Sequence, residues 1–145
     1  MISRRHIAFL VVAALSLTAA GCGDSPTEPT PRAEYSQTDL RTGGGDTATN
    51  GRRLTVHYTL WLYNPSGQDG KGRQIQTSTG GAPFTFTLGV GGVISGWDRG
   101  VPGMRVGGLR RLVLPPEFAY GSAGSPPDIP PNATLVFEID LQSMQ

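Results

Sequence analysis

Residues 93–101 read Val-Ile-Ser-Gly-Trp-Asp-Arg-Gly-Val, and the rest of the chain can be arranged around this stretch. Ser95 suits the N-cap of a helix, and Pro102-Gly103 ends any helix that reaches it. We therefore predict one short helix from Ser95 to about Val101. A helix this short is expected to close the apolar face of a sheet.

Strands are predicted on both sides of this helix. From Leu54 to Leu62 the even-numbered residues are Leu, Val, Tyr, Leu and Leu, so they share one face of a strand. Further strand candidates are Phe84–Leu88, Arg105–Leu114, Leu135–Leu141 and, at the sheet edge, Tyr35–Arg41. Together these segments predict an α+β fold, an antiparallel sheet whose apolar face the helix covers.

Composition limits the possible functions. The chain has 145 residues, which allows one domain plus appendages. A net charge of +1 argues against nucleic acid as the main partner. The 21 glycines and 12 prolines favour short strands joined by many turns over long helices.

The N-terminal residues are typical of a secretory signal. Arg4 and Arg5 precede an apolar run, Ile7–Leu17, and the small residues Ala19-Ala20-Gly21 lead to Cys22. The alternative interpretation is a membrane-anchoring helix, but the apolar run is short for a helix that spans a bilayer. Residues 17–22 resemble the lipobox of bacterial lipoproteins, so residues 1–21 are predicted to be a signal peptide and Cys22 to be the lipidated first mature residue.

Cys22 is the only cysteine, so no intramolecular disulfide can form, and acylation explains a lone thiol in an exported protein. Residues 22–34 are rich in Pro, Thr, Ser and Asp and are predicted to be a flexible tether. Gly23 does not match the acidic retention signal of inner-membrane lipoproteins. We therefore expect a lipid-anchored protein of the bacterial cell envelope, on the periplasmic side of the outer membrane.

Three stretches place aromatic side chains at turns and strand ends: residues 56–58, 92–97 and 116–121. They contain no arrangement of acid, base, nucleophile or metal ligand that could carry out bond chemistry. His57 lies on the strand face opposite Tyr58, and His6 belongs to the signal, so neither a triad nor a metal site can form. The glycines of residues 89–92 lack the spacing of a phosphate loop. The stretches predict an apolar cleft whose chemistry is conformational, namely rotation about a peptide bond.

Five sequence blocks, in this order, resemble the FKBP-type peptidyl-prolyl isomerases. They cover the domain from about Gln37 to Met144 and are residues 56–59, 83–89, 93–101, 116–121 and 129–137. The resemblance implies a twisted antiparallel sheet, or half-barrel, wrapped around one short helix, with the domain at residues 35–145. It also implies catalysis of X-Pro cis–trans isomerisation, with proline-containing polypeptides as substrates. No cofactor is needed because no bond is made or broken.

The resemblance also implies roles for individual residues. The proline ring would rest on the indole of Trp97, the Ile94 backbone N–H would bind a substrate carbonyl, and the Tyr120 hydroxyl would bind a polar atom at the rim. The implied catalytic residues are Tyr58, Trp97, Tyr120 and Phe137. The implied substrate-binding residues are Phe84, Val93, Ile94, Ile75, Gln76 and Ile129. Phe86 is interpreted as a core residue.

Several positions depart from the family pattern. Gln76 stands where the family has a carboxylate that accepts a hydrogen bond from the hydroxyl matching Tyr58, so we expect reduced rather than absent activity. The polar loop Asn64–Gly72 is longer than in the smallest members, and Ser125 and Asp128 are smaller or more polar than usual. These changes are expected to alter which substrates fit.

Two other functions stay open. The first is a weakly active or inactive module of the same fold that binds proline-containing segments as a chaperone. The second, ranked last, is an aromatic sugar-binding lipoprotein, for which Trp97 has too few polar neighbours. Macrolide binding is a further possibility, because the cleft residues resemble those of members that bind such compounds. The domain is expected to be a monomer that contacts the membrane only through its lipid.

Overall fold

The computed structural model describes residues 29–145. The predicted signal peptide, residues 1–21, and the predicted lipidation site Cys22 lie outside the described residues. Residues 29–34 form no helix or strand, and five of the six are exposed. Arg32 forms an exposed ion pair with Glu117 across 2.8 Å, so the chain enters the domain beside the 116–118 segment.

Residues 29–145 contain six strands, one α-helix and two 3-10 turns, Gln68–Gly70 and Pro116–Phe118. All paired strands are antiparallel, and their order across the sheet is β1-β5-β6-β2-β3, with β4 also paired to β2. The elements are β1 (Ser36–Arg41), β2 (Arg53–Tyr63), β3 (Lys71–Thr77), β4 (Phe84–Thr87), α1 (Ser95–Gly100), β5 (Leu109–Leu114) and β6 (Leu135–Met144). The predicted fold, an antiparallel sheet with one short helix, is confirmed.

β2 lies at the centre and carries the predicted alternation. Leu54 and Val56 are fully buried and Leu60 nearly so, whereas the odd-numbered residues between them face the other side. β6 pairs along the whole strand, placing Tyr58 opposite Ile139 and Leu60 opposite Phe137. Residues opposite each other in an antiparallel pair share a face, so the inner face of both strands forms one core.

β5 is shorter than the strand predicted from Arg105 to Leu114. Gly107 has a φ of 83° and Gly108 donates a backbone hydrogen bond to Arg105, so residues 105–108 form a turn. The strand therefore begins only at Leu109. β1 pairs with β5 and is exposed along its whole length, as expected of the predicted edge strand.

β3 was not predicted from the sequence. Only Ile75 among its seven residues is apolar, so the strand lacks the alternation that reveals β2. It pairs with β2 through two register shifts, and it begins at Lys71, so the predicted polar loop ends at Gly70 rather than continuing to Gly72. The residues of β3 have little preference for a strand of their own, and the strand is stabilised by its pairing with β2.

The helix α1 begins at Ser95, as predicted, but Ser95 is its first residue and not its N-cap. Ile94 occupies the N-cap position, and no side chain caps it. Close packing against β5 explains why α1 contains two glycines, Gly96 and Gly100. A Cβ at Gly96 would lie 2.5 Å from the Leu114 side chain, and one at Gly100 would lie 2.6 Å from that of Leu112. Only glycine lets the helix lie this close to β5.

The outer face of the sheet carries charged side chains. Glu138 on β6 accepts from Lys71 and Arg111, and Arg111 also pairs with Asp69. The Lys71 ammonium lies 4.6 Å from the ring centre of Trp61 on the same face. Within residues 29–145 there is no helix long and apolar enough to cross a membrane.

Candidate functional site

An open cavity of about 450 Å³ lies between the helix and the inner face of the sheet. Eight of the ten residues predicted for the site line it, which brings together side chains from β2, β3, β4, α1, β6 and two loops. The lining residues are Tyr58, Leu60, Gln76, Phe84, Gly91, Gly92, Val93, Ile94, Trp97, Tyr120 and Phe137.

Trp97 forms the floor of the cavity and is only 4% exposed. Its indole meets four other rings edge-on, with centroid separations of 5.3 to 5.9 Å. This edge-to-face geometry is the favourable one for aromatic pairs. The indole Nε1–H is buried and has no hydrogen-bond partner among the described residues. The four rings therefore fix the indole through packing; they are Tyr58, Phe84, Phe86 and Phe137.

The aromatic wall on β4 contains one exposed and one buried phenylalanine. Phe84 is 40% exposed and lines the cavity, whereas Phe86 is buried beneath it with its ring stacked at 5.8 Å. The prediction that Phe86 belongs to the core is confirmed. Their spacing of two places both rings on one face of the strand, so Phe86 supports Phe84 from below.

The loop between β4 and α1 is organised by a helix residue. The Asp98 carboxylate accepts hydrogen bonds from the backbone N–H groups of Gly89, at 2.8 Å, and Gly91, at 2.9 Å. Both glycines have a positive φ, which other residues adopt at a cost. Gly91, which the sequence analysis did not assign to the site, thereby reaches the cavity together with Gly92.

The backbone N–H of Ile94 is placed to bind a ligand. Ile94 lines the cavity, and its carbonyl accepts from Trp97 and Asp98. Its N–H, in contrast, donates to no acceptor within residues 29–145. A buried or half-buried donor normally finds a partner, so an N–H left free at a cavity wall can bind a carbonyl oxygen of a ligand.

Tyr120 projects from the segment that follows β5 and is 39% exposed at the rim. The N–H of Gly121 donates to the Pro116 carbonyl, which tightens this turn. Burial raises the pKa of the Tyr58 hydroxyl above its usual 10.0, and the neighbouring Tyr120 raises it further. Both hydroxyls thus belong to the cavity wall, and that of Tyr58 stays neutral at physiological pH.

Gln76 also lines the cavity, because its pairing with Leu60 on β2 places both residues on the inner face. No hydrogen bond joins the Gln76 amide to the Tyr58 hydroxyl in the described part of the chain. Leu60 was missed by the sequence analysis, although it shares the alternating face of Tyr58, which is the signal that identifies it.

Two predicted site residues lie outside the cavity lining. Ile75 packs against the edge of the hydrophobic core as a half-buried residue. Ile129 is 5% exposed and belongs to that core, because its backbone pairs with Ser125 and folds the loop tip inward. Arg73 holds the same loop by donating to the Asp128 carbonyl at 3.0 Å. Both isoleucines therefore contribute to the hydrophobic core rather than to the cavity lining.

The cavity is suited to binding rather than to bond-breaking chemistry. None of its lining residues is charged or carries a nucleophile stronger than a phenol. Within residues 29–145, no cluster of three or more His, Cys, Asp or Glu side chains could hold a metal ion. What the site offers a ligand is an apolar aromatic surface, two hydroxyls, one amide and a free backbone N–H.

Known proteins share this sequence and fold. The family model of the FKBP-type peptidyl-prolyl cis-trans isomerases matches residues 44–142. The FK506-binding protein of Neisseria meningitidis serogroup A is 48% identical over 103 residues, covering 71% of this chain and 89% of that protein. FK506-binding protein 1 of Gibberella zeae is 40% identical over 108 residues, covering 74% and 96%.

Longer relatives match over the same region. FK506-binding protein 4 of Rhizopus delemar is 45% identical over 107 residues, which make up 74% of this chain but 26% of that protein. The crystal structure of AtFKBP13 is similar with a TM-score of 0.66 and 35% identity, covering 77% of this chain and 93% of the other. The chain therefore belongs to the FKBP-type peptidyl-prolyl cis-trans isomerases, a family of enzymes, as its motifs predicted.

Proposed function

We propose that this protein accelerates cis–trans isomerisation of X-Pro bonds while exported proteins fold in the bacterial cell envelope. The observation that carries the proposal is the open, uncharged cavity floored by Trp97. Its volume of about 450 Å³ falls within the range of about 300–1,000 Å³ typical of small-ligand sites. A prolyl ring and the residue before it can enter such a cavity from solvent.

The geometry supplies two contributions to catalysis. Rotation about an amide passes a barrier of about 18–20 kcal/mol because the twisted form loses resonance. The planar amide is more dipolar than the twisted one, so an apolar cavity disfavours the ground state relative to the transition state. The free N–H of Ile94 can hold a substrate carbonyl while the bond turns. Neither contribution requires a proton transfer.

The same cavity is proposed to bind macrolides of the FK506 type. Two relatives that align over most of their length are named FK506-binding proteins. A macrolide would compete with proline-containing peptides for the aromatic floor, so it would act as an inhibitor. Titration with FK506 during an isomerisation assay tests this directly, and activity that persists at saturating FK506 would contradict a shared site.

A second function, binding of proline-containing segments with little turnover, is favoured by one observation. Gln76 supplies an uncharged amide at the cavity wall, and the Tyr58 hydroxyl has no protein acceptor among residues 29–145. A less firmly held Tyr58 would leave binding intact but position the substrate less well. Comparing the peptide Kd with kcat/KM separates this chaperone-like function from efficient catalysis.

The proposed location depends on sequence features alone. Residues 1–21 would direct export, Cys22 would carry the lipid, and residues 22–34 would hold a monomeric domain off the periplasmic face of the outer membrane. Growth with labelled palmitate tests the anchor, because the label should enter the wild-type protein and be absent from the Cys22→Ser variant. Label retained in that variant would rule out Cys22 as the acylation site.

An isomerisation assay with a matched pair of tryptophan variants tests the activity. Trp97→Leu removes the cavity floor, whereas Trp61→Leu removes an indole from the outer face of the same sheet. We expect Trp97→Leu to lose nearly all acceleration and Trp61→Leu to keep most of it. Equal losses in two folded variants, or no acceleration by the wild-type protein, would contradict the proposed function.

A further inference from the structure

Arg110 is a charged residue on the inner face of the sheet. It lies opposite Ile139 of β6, and only 6% of its surface is exposed. Taking a guanidinium out of water costs several kcal/mol unless its donors are satisfied. A guanidinium in this position therefore needs hydrogen-bond acceptors or a carboxylate to satisfy its donors.

Two sets of acceptors satisfy the donors of Arg110. On one side, Nε and Nη2 donate to the two carboxylate oxygens of Asp39 at 2.6 and 3.0 Å, which is the strong bidentate geometry. These hydrogen bonds lower the pKa of the Asp39 carboxyl below its usual 3.8. On the other side, Nη1 donates to the carbonyls of Gly100, at 2.8 Å, and Pro102, at 3.1 Å.

Those two carbonyls mark the C-terminal end of α1. The last carbonyls of a helix have no partner within it, and a cation there interacts favourably with the helix dipole. A six-residue helix that contains two glycines has little stability of its own, so external contacts must hold it. Arg110 supplies such a contact from β5, and Asp39 fixes Arg110 from β1.

Trp97 lies within the same helical turn. Its carbonyl accepts a hydrogen bond from Val101, the C-cap residue next to Gly100. A shift of the C-terminal end of α1 therefore moves the backbone that carries the indole. No polar contact fixes the indole itself, since its Nε1–H has no partner among the described residues. The position of the indole therefore depends on the rings packed around it and on where the helix that carries it is held.

We propose that Arg110, held by Asp39, is a positioning residue for proline isomerisation: it fixes the C-terminal end of α1 and thereby the indole floor of the cavity. It does not touch the substrate. This inference rests on the proposed function and adds to it two residues that lie outside the cavity lining. The alternative is that Arg110 only contributes to overall stability.

The neighbouring residue provides a matched control. Arg111 is the next residue on β5, but it faces the outer side of the sheet, where it pairs with Glu138 and Asp69. It is also largely buried, with 17% side-chain exposure. Arg110→Met and Arg111→Met therefore delete similar ionic contacts from opposite faces of one strand. A purely structural effect would be similar in both variants.

The first measurement is kcat/KM for a proline peptide, at a temperature where circular dichroism shows both variants to be folded. We expect Arg110→Met to lower kcat/KM on the order of tenfold, because small displacements of a binding surface are costly for catalysis. Arg111→Met should stay within about twofold of the wild-type value. Equal kcat/KM values in the two variants would overturn the proposal.

The second measurement is independent of activity. In ¹H–¹⁵N spectra the two tryptophans report on the two faces, with the indole of Trp97 at the cavity floor and that of Trp61 beside Lys71 on the outer side. Arg110→Met should shift the Trp97 indole signal and leave that of Trp61 in place. Arg111→Met should do the reverse, through Glu138 and its partner Lys71.

Asp39→Asn keeps the test decisive if Arg110→Met does not fold. The Asp39 side chain is 47% exposed, so its replacement leaves no buried cavity, but an amide cannot accept both hydrogen bonds. It should lower kcat/KM and shift the Trp97 signal in the same direction. An unmoved Trp97 signal in every folded variant overturns the proposal. If the wild-type protein lacks isomerase activity, the proposed function fails, yet the indole signals still test what holds Trp97.

Discussion

The ring of Tyr58 meets the indole of Trp97 edge-on, with 5.4 Å between the ring centres and 81° between the ring planes. Tyr58 lies on the central strand β2 and Trp97 on α1, so this contact joins the sheet to the helix across the cavity. Edge-to-face pairs of this kind add about 0.5–1.5 kcal/mol beyond the area they bury. The same two rings therefore help to hold the fold together and form the surface that a ligand meets.

The first prediction concerns pH. No lining residue of the cavity is a His, Asp, Glu, Lys or Arg, and burial raises the pKa of Tyr58 above 10.0. The Tyr58 hydroxyl is therefore protonated throughout the range from about pH 5 to 9. We expect kcat/KM to be constant over that range. NMR exchange measures this without a coupling protease, and a bell-shaped profile would indicate acid–base catalysis instead.

The second prediction concerns Gln76. Gln76→Asp places a carboxylate on the inner face near Tyr58, and a charged acceptor holds a hydroxyl more firmly than an amide does. We expect kcat/KM to rise about fivefold, which corresponds to ~1 kcal/mol. Gln74→Asp adds the same charge on the same strand at an exposed position outside the lining and should change little. A similar rise in both variants would assign the effect to surface charge.

The third prediction concerns Gly96. Alanine is the better helix former by about 1 kcal/mol, so Gly96→Ala would stabilise α1 if there were room. There is none, because the new Cβ would lie 2.5 Å from the Leu114 side chain and 2.8 Å from the Phe118 carbonyl oxygen. We expect overpacking to dominate and to lower the free energy of unfolding by about 1–3 kcal/mol, measured by urea denaturation.

Gly44→Ala is the control for that measurement. Gly44 has no heavy atom within 4 Å of its would-be Cβ and does not have a positive φ. Its free energy of unfolding should stay within about 0.5 kcal/mol of the wild-type value. A stable Gly96→Ala protein would mean that α1 can move away from β5 without cost.

The parts of the fold that the sequence predicted are those with a strong local signal. The alternation along β2 and the Pro-Gly pair after α1 are both local signals, contained within about ten residues. The strand and the helix end that they predict agree with the structure. β3 was not predicted because its residues are mostly polar and show no hydrophobic alternation. The strand is stabilised by its pairing with β2. Local patterns thus identified the centre of the sheet but not its edge at β3.

The site was predicted to a similar extent and for a similar reason. Motif resemblance identified the rings, but it also assigned Ile129 to the site, because the position of Ile129 depends on how its loop folds back on Ser125. Arg110 was not predicted either. Its carboxylate partner Asp39 is 71 residues away in the chain, and a lone arginine in a strand carries no sign of such a contact. A polar pair between residues so far apart in the sequence can be identified only from the structure.

The last prediction concerns Asp98, whose two carboxylate oxygens each accept one backbone N–H of the loop that carries Gly91 to the cavity. Asp98→Asn preserves shape and volume but replaces one acceptor with an NH₂ group, which then faces an N–H donor. A hydrogen bond to a charged group is worth about 1.5–3 kcal/mol, so its loss should loosen the loop next to Ile94. We expect kcat/KM to fall about five- to tenfold, chiefly through a higher KM.

Asp46→Asn provides the matched control, because Asp46 is exposed and its side chain makes no hydrogen bond within residues 29–145. Both variants change the net charge equally, so a difference between them cannot come from overall charge. If Asp98→Asn acts through the loop, hydrogen exchange of the Gly89 and Gly91 amides should also become faster, while strand amides keep their protection. Unchanged exchange with lowered activity would mean that the carboxylate acts on the substrate rather than on the loop.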